Sequence, residues 1–330
     1  GYLDLYVSNN IKDKLYKNLG NGTFSSVDSL TFYKDYSSSR SLFLDLDLEG
    51  DLDLFITTGS KNLFLRNNSD GSFTEVSNTS NLDGEPKSSI DVSFSDFDDD
   101  GDLDLFILNE DGSHYFFNNQ RQATFKDITK TTGIKTVNDH KSVIPVDYNN
   151  DGLIDLFING VNTYSLYKNI GNSQFILDPD WFDYRKILKD HYGGIATFFD
   201  ADNDGYVDLC LSLTDKKSKK TTLHLLYNDG SGKYLNPSLM YNEISSEVSQ
   251  LKSADYDNDG DLDIFLSTTD NQIRLLRNEG GNLNNFIKVR LTGLRVGSGK
   301  NNYFGIGSKV ELKAGGLYQI KYVDEPVIHF

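Results

Sequence analysis

The chain has 330 residues, 37% of them hydrophobic and 12% aromatic, ample material for a large core. A formal net charge of −17 and a pI near 4.6 argue against nucleic acid and anionic membrane surfaces as partners. The single Cys210 excludes an intrachain disulfide, and no apolar run approaches the roughly 18 residues of a membrane helix, so direct membrane insertion is not expected.

The chain opens on Gly1, Tyr2, Leu3 and Asp4, which read as the last four positions of a nine-residue acidic loop. The N-terminus therefore looks cut inside a motif, and the lack of a visible signal peptide says nothing about export. Five complete loops follow. The first carries Asp45, Asp47, Glu49, Asp51 and Asp53 at its odd positions, and the second Asp96, Asp98, Asp100, Asp102 and Asp104. The third has Asp147, Asn149, Asp151, Leu153 and Asp155, and the fourth Asp200, Asp202, Asp204, Tyr206 and Asp208. The last has Asp255, Asp257, Asp259, Asp261 and Asp263.

In each loop the side chains at positions 1, 3, 5 and 9, with the carbonyl at position 7, can converge on one hard cation, and the glycine at position 6 permits the turn. Carboxylates so close would repel strongly without a cation between them. Calcium suits the set, since it accepts many oxygen ligands in flexible geometry. About five sites are expected, with a sixth incomplete at Asp4. These are not EF-hands, which need Glu at position 12 and flanking helices; here position 12 is Ile56, Ile107, Ile158, Leu211 and Leu266. The longer Glu49 and the uncharged Asn149 are expected to weaken binding in their loops.

Position 9 recurs at intervals of 49, 51, 51, 53 and 55 residues, a period that signals a propeller, solenoid or array. Every period carries a second landmark, an aromatic and aliphatic strand ending in Asn before a Gly/Asn turn. Its copies end at Asn18, Asn67, Asn118, Asn169, Asn228 and Asn278. A further strand precedes each loop, as at 89–94 and 195–199, giving about four strands per period and almost no helical periodicity. Strands such as 103–108 and 154–158 are apolar nearly throughout, as expected of strands buried on both faces between neighbouring blades. The fold class expected is all-β, a β-propeller of four-stranded blades.

The acidic loops followed by the Leu-aromatic-x-Asn landmark resemble FG-GAP/VCBS repeats, whose relatives include the calcium-bearing blades of integrin α-subunit propellers. The likeness covers residues 1–285 and implies a propeller, seven-bladed when intact, with about six repeats present. From about Asn285 the pattern changes to alternating strands with Gly turns, and residues 305–310 carry a likeness to the ASPIC/UnbV domain. The domains expected are thus a propeller over 1–285, truncated at its start, and a small, incomplete β domain over 286–330.

Other constellations are weaker. The five histidines share no repeat position or metal-ligand spacing. The insert 178–184, with the only tryptophan, reads as an aromatic plug between blades or as a ligand loop. Residues 216–220 read as a solvated basic turn. Every strong motif directs its polar residues at ions, with no nucleophile elbow, zinc-protease motif or phosphate loop. The function expected is a non-catalytic, calcium-binding extracellular or cell-surface interaction module, taking a protein or glycan ligand on a propeller face. The alternative is a polysaccharide lyase or glycoside hydrolase on the same scaffold, with His191, Tyr192 and Arg185 as candidates for a converging group.

Overall fold

The computed structural model describes residues 2–8, 13–27, 38–82, 84–235, 237–294 and 301–330. The chain is an all-β propeller of six blades, each an antiparallel meander in sequence order. Blade 1 comprises β1 (Leu5–Val7), β2 (Lys14–Asn18) and β3 (Phe24–Val27). Blade 2 comprises β4 (Ser38–Leu44), β5 (Asp53–Thr58), β6 (Leu63–Asn67) and β7 (Phe73–Glu75). Blade 3 follows with β8 (Ser89–Ser95), β9 (Asp104–Asn109), β10 (His114–Asn119) and β11 (Phe125–Asp127). Blade 4 is β12 (His140–Val146), β13 (Asp155–Gly160), β14 (Tyr164–Asn169) and β15 (Phe175–Asp178). Blade 5 is β16 (His191–Phe199), β17 (Asp208–Asp215), β18 (Thr221–Leu226) and β19 (Ser238–Ile244). Blade 6 has β20 (Val248–Ala254), β21 (Asp263–Thr268) and β22 (Ile273–Leu276). Among the described residues, blades 1 and 6 have three strands and the other four have four. The only α-helix among them is the single turn α1 (Arg185–Leu188).

The strand that follows an acidic loop in blades 2 to 5 shows why near-continuous apolar sequence belongs there. Every residue of β5, β9 and β13 is buried. Successive side chains of a strand point to opposite faces, so alternate residues serve alternate neighbours. Along β17, Leu209 and Leu211 pack with Phe157 and Leu166 of blade 4. Cys210, between them, packs with Leu251 and Ile264 of blade 6. Along β5, Phe55 packs toward Leu105 and Ile107 of blade 3, while Leu54 and Ile56 pack with Tyr6 of blade 1. A polar face on such a strand would leave one neighbour without a core.

The insert 178–184 is the aromatic plug. Trp181 is 1% exposed and meets Phe157 of blade 4 edge-on at 5.5 Å and Tyr234, beyond β18 of blade 5, at 5.7 Å. Its carbonyl accepts the Tyr234 N–H at 2.9 Å, so backbone and ring both tie blade 4 to blade 5. Trp181→Ala is expected to cost about 3–5 kcal/mol, read from the midpoint of urea unfolding.

The residues after blade 6 form β23 (Lys288–Val289), β24 (Lys309–Ala314), β25 (Leu317–Tyr322) and β26 (Ile328–His329). β24 pairs with β25, and β23 with β26. β23 is only two residues long because only Ile328 and His329 lie opposite it. The chain divides into two compact units. One takes Gly1–Asn138, Arg290–Ser308 and Tyr322–Pro326; the other takes Asp139–Val289, Lys309–Lys321 and Val327–Phe330.

Candidate metal loops

Each acidic loop joins the first strand of a blade to the second. Its tightness comes from two left-handed residues, rare for L-amino acids outside glycine and Asn/Asp. Position 6 is Gly50, Gly101, Gly152, Gly205 or Gly260, with φ from 88° to 102°. Position 4 is also left-handed, at Leu48, Asp99, Asn150, Asn203 and Asn258, with φ from 52° to 63°. These turns aim backbone N–H groups inward at the carboxylates.

Position 1 accepts from the glycine N–H in all five complete loops, Asp45, Asp96, Asp147, Asp200 and Asp255 at 2.8–3.1 Å. Position 9 acts as a clasp. Oδ1 of Asp4, Asp53, Asp104, Asp155, Asp208 and Asp263 accepts the N–H of an asparagine at the end of the third-strand region, at 2.6–2.9 Å. The asparagines are Asn18, Asn67, Asn119, Asn169, Asn228 and Asn278, and each returns its Nδ2 to the carbonyl just before the aspartate. In blade 3 this residue is Asn119; the sequence reading placed the landmark one residue early, at Asn118. Asn118 instead donates to Asp98 at 2.7 Å and Asp104 at 3.1 Å. Two adjacent asparagines at 118 and 119 made the register ambiguous.

The clasp also reaches the preceding blade. Nδ2 of Asn119 donates to the Leu46 carbonyl, Asn228 to Tyr148 and Asn278 to Ala201. Position 4 adds another tie, Asn150 to the Gly205 carbonyl at 3.0 Å and Asn203 to Gly260 at 2.9 Å. The asparagines were visible in the sequence as a repeat, but their role needed the loop geometry.

Carboxylate oxygens of Asp96, Asp98 and Asp104 lie within 4.8 Å of one another, and so do those of Asp200, Asp202 and Asp208. A third group is Asp255, Asp257 and Asp259, which leaves out Asp263. By spacing each group could hold a metal ion, although in the third Lys288 and Arg277 already pair with the carboxylates. Fit to a cation is supported by buried oxygens with no hydrogen-bond partner: Asp45 Oδ1, Asp98 Oδ1, Asp155 Oδ2 and Asp202 Oδ1. Asp255 Oδ1 is likewise buried and unpaired, but the other oxygen of that carboxylate pairs with Lys288. A buried carboxylate oxygen left unpaired is costly, and a cation at that point would satisfy it.

The remaining expected ligands are placed as follows. Asp47 and Asp100 accept the N–H two residues on, at 3.2 and 3.0 Å. The Asp51 carboxylate accepts the Ser69 hydroxyl. Asp102 turns its carboxylate to Arg121 at 3.1 Å, and Asp151 pairs with Lys168 at 3.0 Å. Asn149 Oδ1 accepts the Asp151 N–H, and the position 7 residues Leu153 and Tyr206 donate their N–H to Asp151 and Asp204. Asp261 is buried, while Glu49 and Asp4 are exposed.

Burial dominates the electrostatics. It pushes Asp53, Asp104 and Asp208 up to about 8 and Asp155 up to about 9. Burial, with neighbouring carboxylates adding to it, lifts Asp45, Asp147 and Asp200 to about 6. Asp47, Asp96, Asp98, Asp102 and Asp204 are raised by the same causes. Asp255 goes the other way: burial raises it, but the bonded Lys288 ammonium outweighs burial and holds it below the usual carboxylate range. Without a cation the loops of blades 2 to 5 are therefore set to retain protons, and a divalent ion would reverse that preference.

The candidates for catalytic convergence have other partners. His191 Nδ1 lies 3.2 Å from the Ile187 carbonyl, Arg185 pairs with Asp183 at 3.5 Å, and Lys216 and Lys219 cover the Tyr192 ring. No described helix is long and apolar enough to cross a membrane.

A family model for the FG-GAP-like repeat matches residues 1–56, 45–107, 96–158 and 200–266. Cartilage acidic protein 1 of Xenopus tropicalis is 25% identical over 255 residues, 69% of this chain and 37% of the relative, so the chain spans well under half that protein's length. Among solved structures, an Agrocybe aegerita lectin that recognises non-reducing terminal N-acetylglucosamine superposes with a TM-score of 0.56 at 17% identity. That match covers 84% of this chain and 77% of the lectin, and shows a shared fold. The Photorhabdus luminescens Tc holotoxin pore aligns over 82% of this chain and 13% of its own, with a TM-score of 0.45 and 17% identity. With the repeat model spanning most of the chain and its boundaries falling on the acidic loops, the chain belongs to the FG-GAP-like repeat family.

Proposed function

We propose that this chain is a calcium-stabilised, non-catalytic interaction module working in an extracellular setting, with a protein or glycan ligand on a propeller face. The observation that carries the reading is the recurring acidic loop with buried, unpartnered carboxylate oxygens. Calcium would be held by positions 1, 3 and 9, whose carboxylates converge in the third and fifth blades, with positions 5 and 7 completing the oxygen set. An extracellular setting would match, since calcium sites in extracellular modules have dissociation constants of about 10⁻⁴–10⁻³ M. The likeness to a cartilage acidic protein and the fold shared with a lectin support an interaction role.

The test is an array of glycans and matrix proteins probed in calcium and in EDTA, with bound polysaccharides then examined for cleavage products. Calcium-dependent capture of intact ligand is expected. Unsaturated or shortened saccharide products would contradict the non-catalytic reading, and capture that EDTA leaves unchanged would contradict the calcium one.

A further inference from the structure

The sixth loop, although its sequence is the most acidic in aspartate among the complete copies apart from the second, is built differently around its first position. The segment after blade 6 lies on it. The Phe286 ring sits so close to Gly260 that an added Cβ would come within 1.9 Å of it. Two residues on, the Lys288 ammonium forms an ion pair with Asp255 Oδ2, a carboxylate whose side chain is only 3% exposed. His329 faces Lys288 in the β23–β26 register and brings Nε2 to 3.4 Å from the same oxygen. The ribbon is fixed by reciprocal hydrogen bonds between Ile287 and Phe330, at 2.7 and 2.9 Å. Across the loop, Arg277 Nη2 reaches Asp257 Oδ2 at 2.5 Å and Asp259 Oδ2 at 3.8 Å.

These cations meet positions 1, 3 and 5, which are the positions a divalent ion would use. In the third and fifth blades the converging oxygens come from positions 1, 3 and 9, but in the sixth Asp263 stands outside the group. Lys168 in the fourth blade touches only position 5, and Arg121 in the third only the side chain of position 7, so neither takes the place of an ion at position 1.

We infer that the sixth loop takes no divalent ion, because the Lys288 ammonium, with Arg277 beside it, occupies the cation's place and pins the C-terminal ribbon to blade 6. The inference rests on the calcium reading of the other loops. It makes the last blade independent of calcium, while blades 2 to 5 depend on it. A hard divalent ion and a fixed ammonium at the same carboxylate oxygen repel, so the two are alternatives.

Amide hydrogen exchange, read by mass spectrometry in calcium and in excess EDTA, tests this loop by loop, since it reports local opening. Peptides spanning 96–104 and 200–208 are expected to lose protection on chelation, and the peptide spanning 255–263 to keep it. Lys288→Met is expected to make the 255–263 peptide calcium-dependent and to raise the bound calcium per chain by one. Loss of protection at 255–263 in the unmodified chain alongside the other loops would overturn the inference and leave the calcium reading standing. A variant that gains neither an ion nor calcium dependence would overturn the role of Lys288. If no peptide responds to EDTA, the calcium reading itself fails and the inference falls with it.

Discussion

Excess EDTA is expected to lower the melting temperature of this chain by tens of degrees while leaving it folded at room temperature. At a free calcium concentration 100 times the dissociation constant, each site adds about 2.7 kcal/mol to the folded state. Several loops acting together would then supply a large share of the margin of an ordinary domain, about 5–15 kcal/mol. Differential scanning fluorimetry with and without EDTA measures the shift directly.

The pH dependence of the stripped chain should be the inverse of that for most salt-bridged proteins. Asp53, Asp104 and Asp208 titrate near 8 and Asp155 near 9 in the folded, metal-free chain, against 3.8 ordinarily. Between those values the folded state holds more protons than the unfolded one, so stability falls as pH rises. In EDTA these groups should thus stabilise the chain most below about pH 4 and progressively less toward pH 8. Saturating calcium favours the ionised carboxylates, so it should remove this slope and release protons as it binds. A melting temperature in EDTA that climbs from pH 5 to 8 would contradict the assignment.

Asp104→Ala should be the most damaging single substitution in the loops, with a cost of about 3–5 kcal/mol even in EDTA. Its carboxylate accepts the N–H of Asn119 at 2.8 Å and of Phe97 at 3.1 Å, with the side chain fully buried. Removal strands both donors, each costing about 1–3 kcal/mol. Asp4 makes the same bond to Asn18 at 2.8 Å, but in an exposed position where water can replace it. Asp4→Ala should therefore cost under about 1 kcal/mol. Urea unfolding of the two variants separates the clasp from ion binding, because the difference should persist without calcium.

The fold was largely legible because two periodic signals agreed. The acidic loop marked the start of each second strand, and its apolar run announced burial on both faces, as β5, β9 and β13 show. Trp181 as a plug was also readable, since a lone large aromatic in an insert has few other places to go. The blade 3 landmark was misplaced by one residue, because composition alone cannot say which of Asn118 and Asn119 meets Asp104.

The role of position 9 was only half visible. Ligand spacing identified the aspartate, but its hydrogen bonds to the next hairpin depend on the left-handed residues at positions 4 and 6. Lys288, Arg277 and His329 carried no signal at all. They come from outside the acidic motif, and His329 reaches Asp255 only through the pairing of β23 with β26, which spans some forty residues of sequence. Local patterns report which atoms are available; which cation meets them depends on tertiary packing.

The most direct measurement is an anomalous difference map from crystals grown in calcium chloride. Peaks are expected in the loops of blades 2 to 5, with oxygens of the position 1, 3 and 9 side chains about 2.3–2.6 Å from each peak. Featureless density between Asp96, Asp98 and Asp104, in crystals that diffract well at saturating calcium, would contradict it.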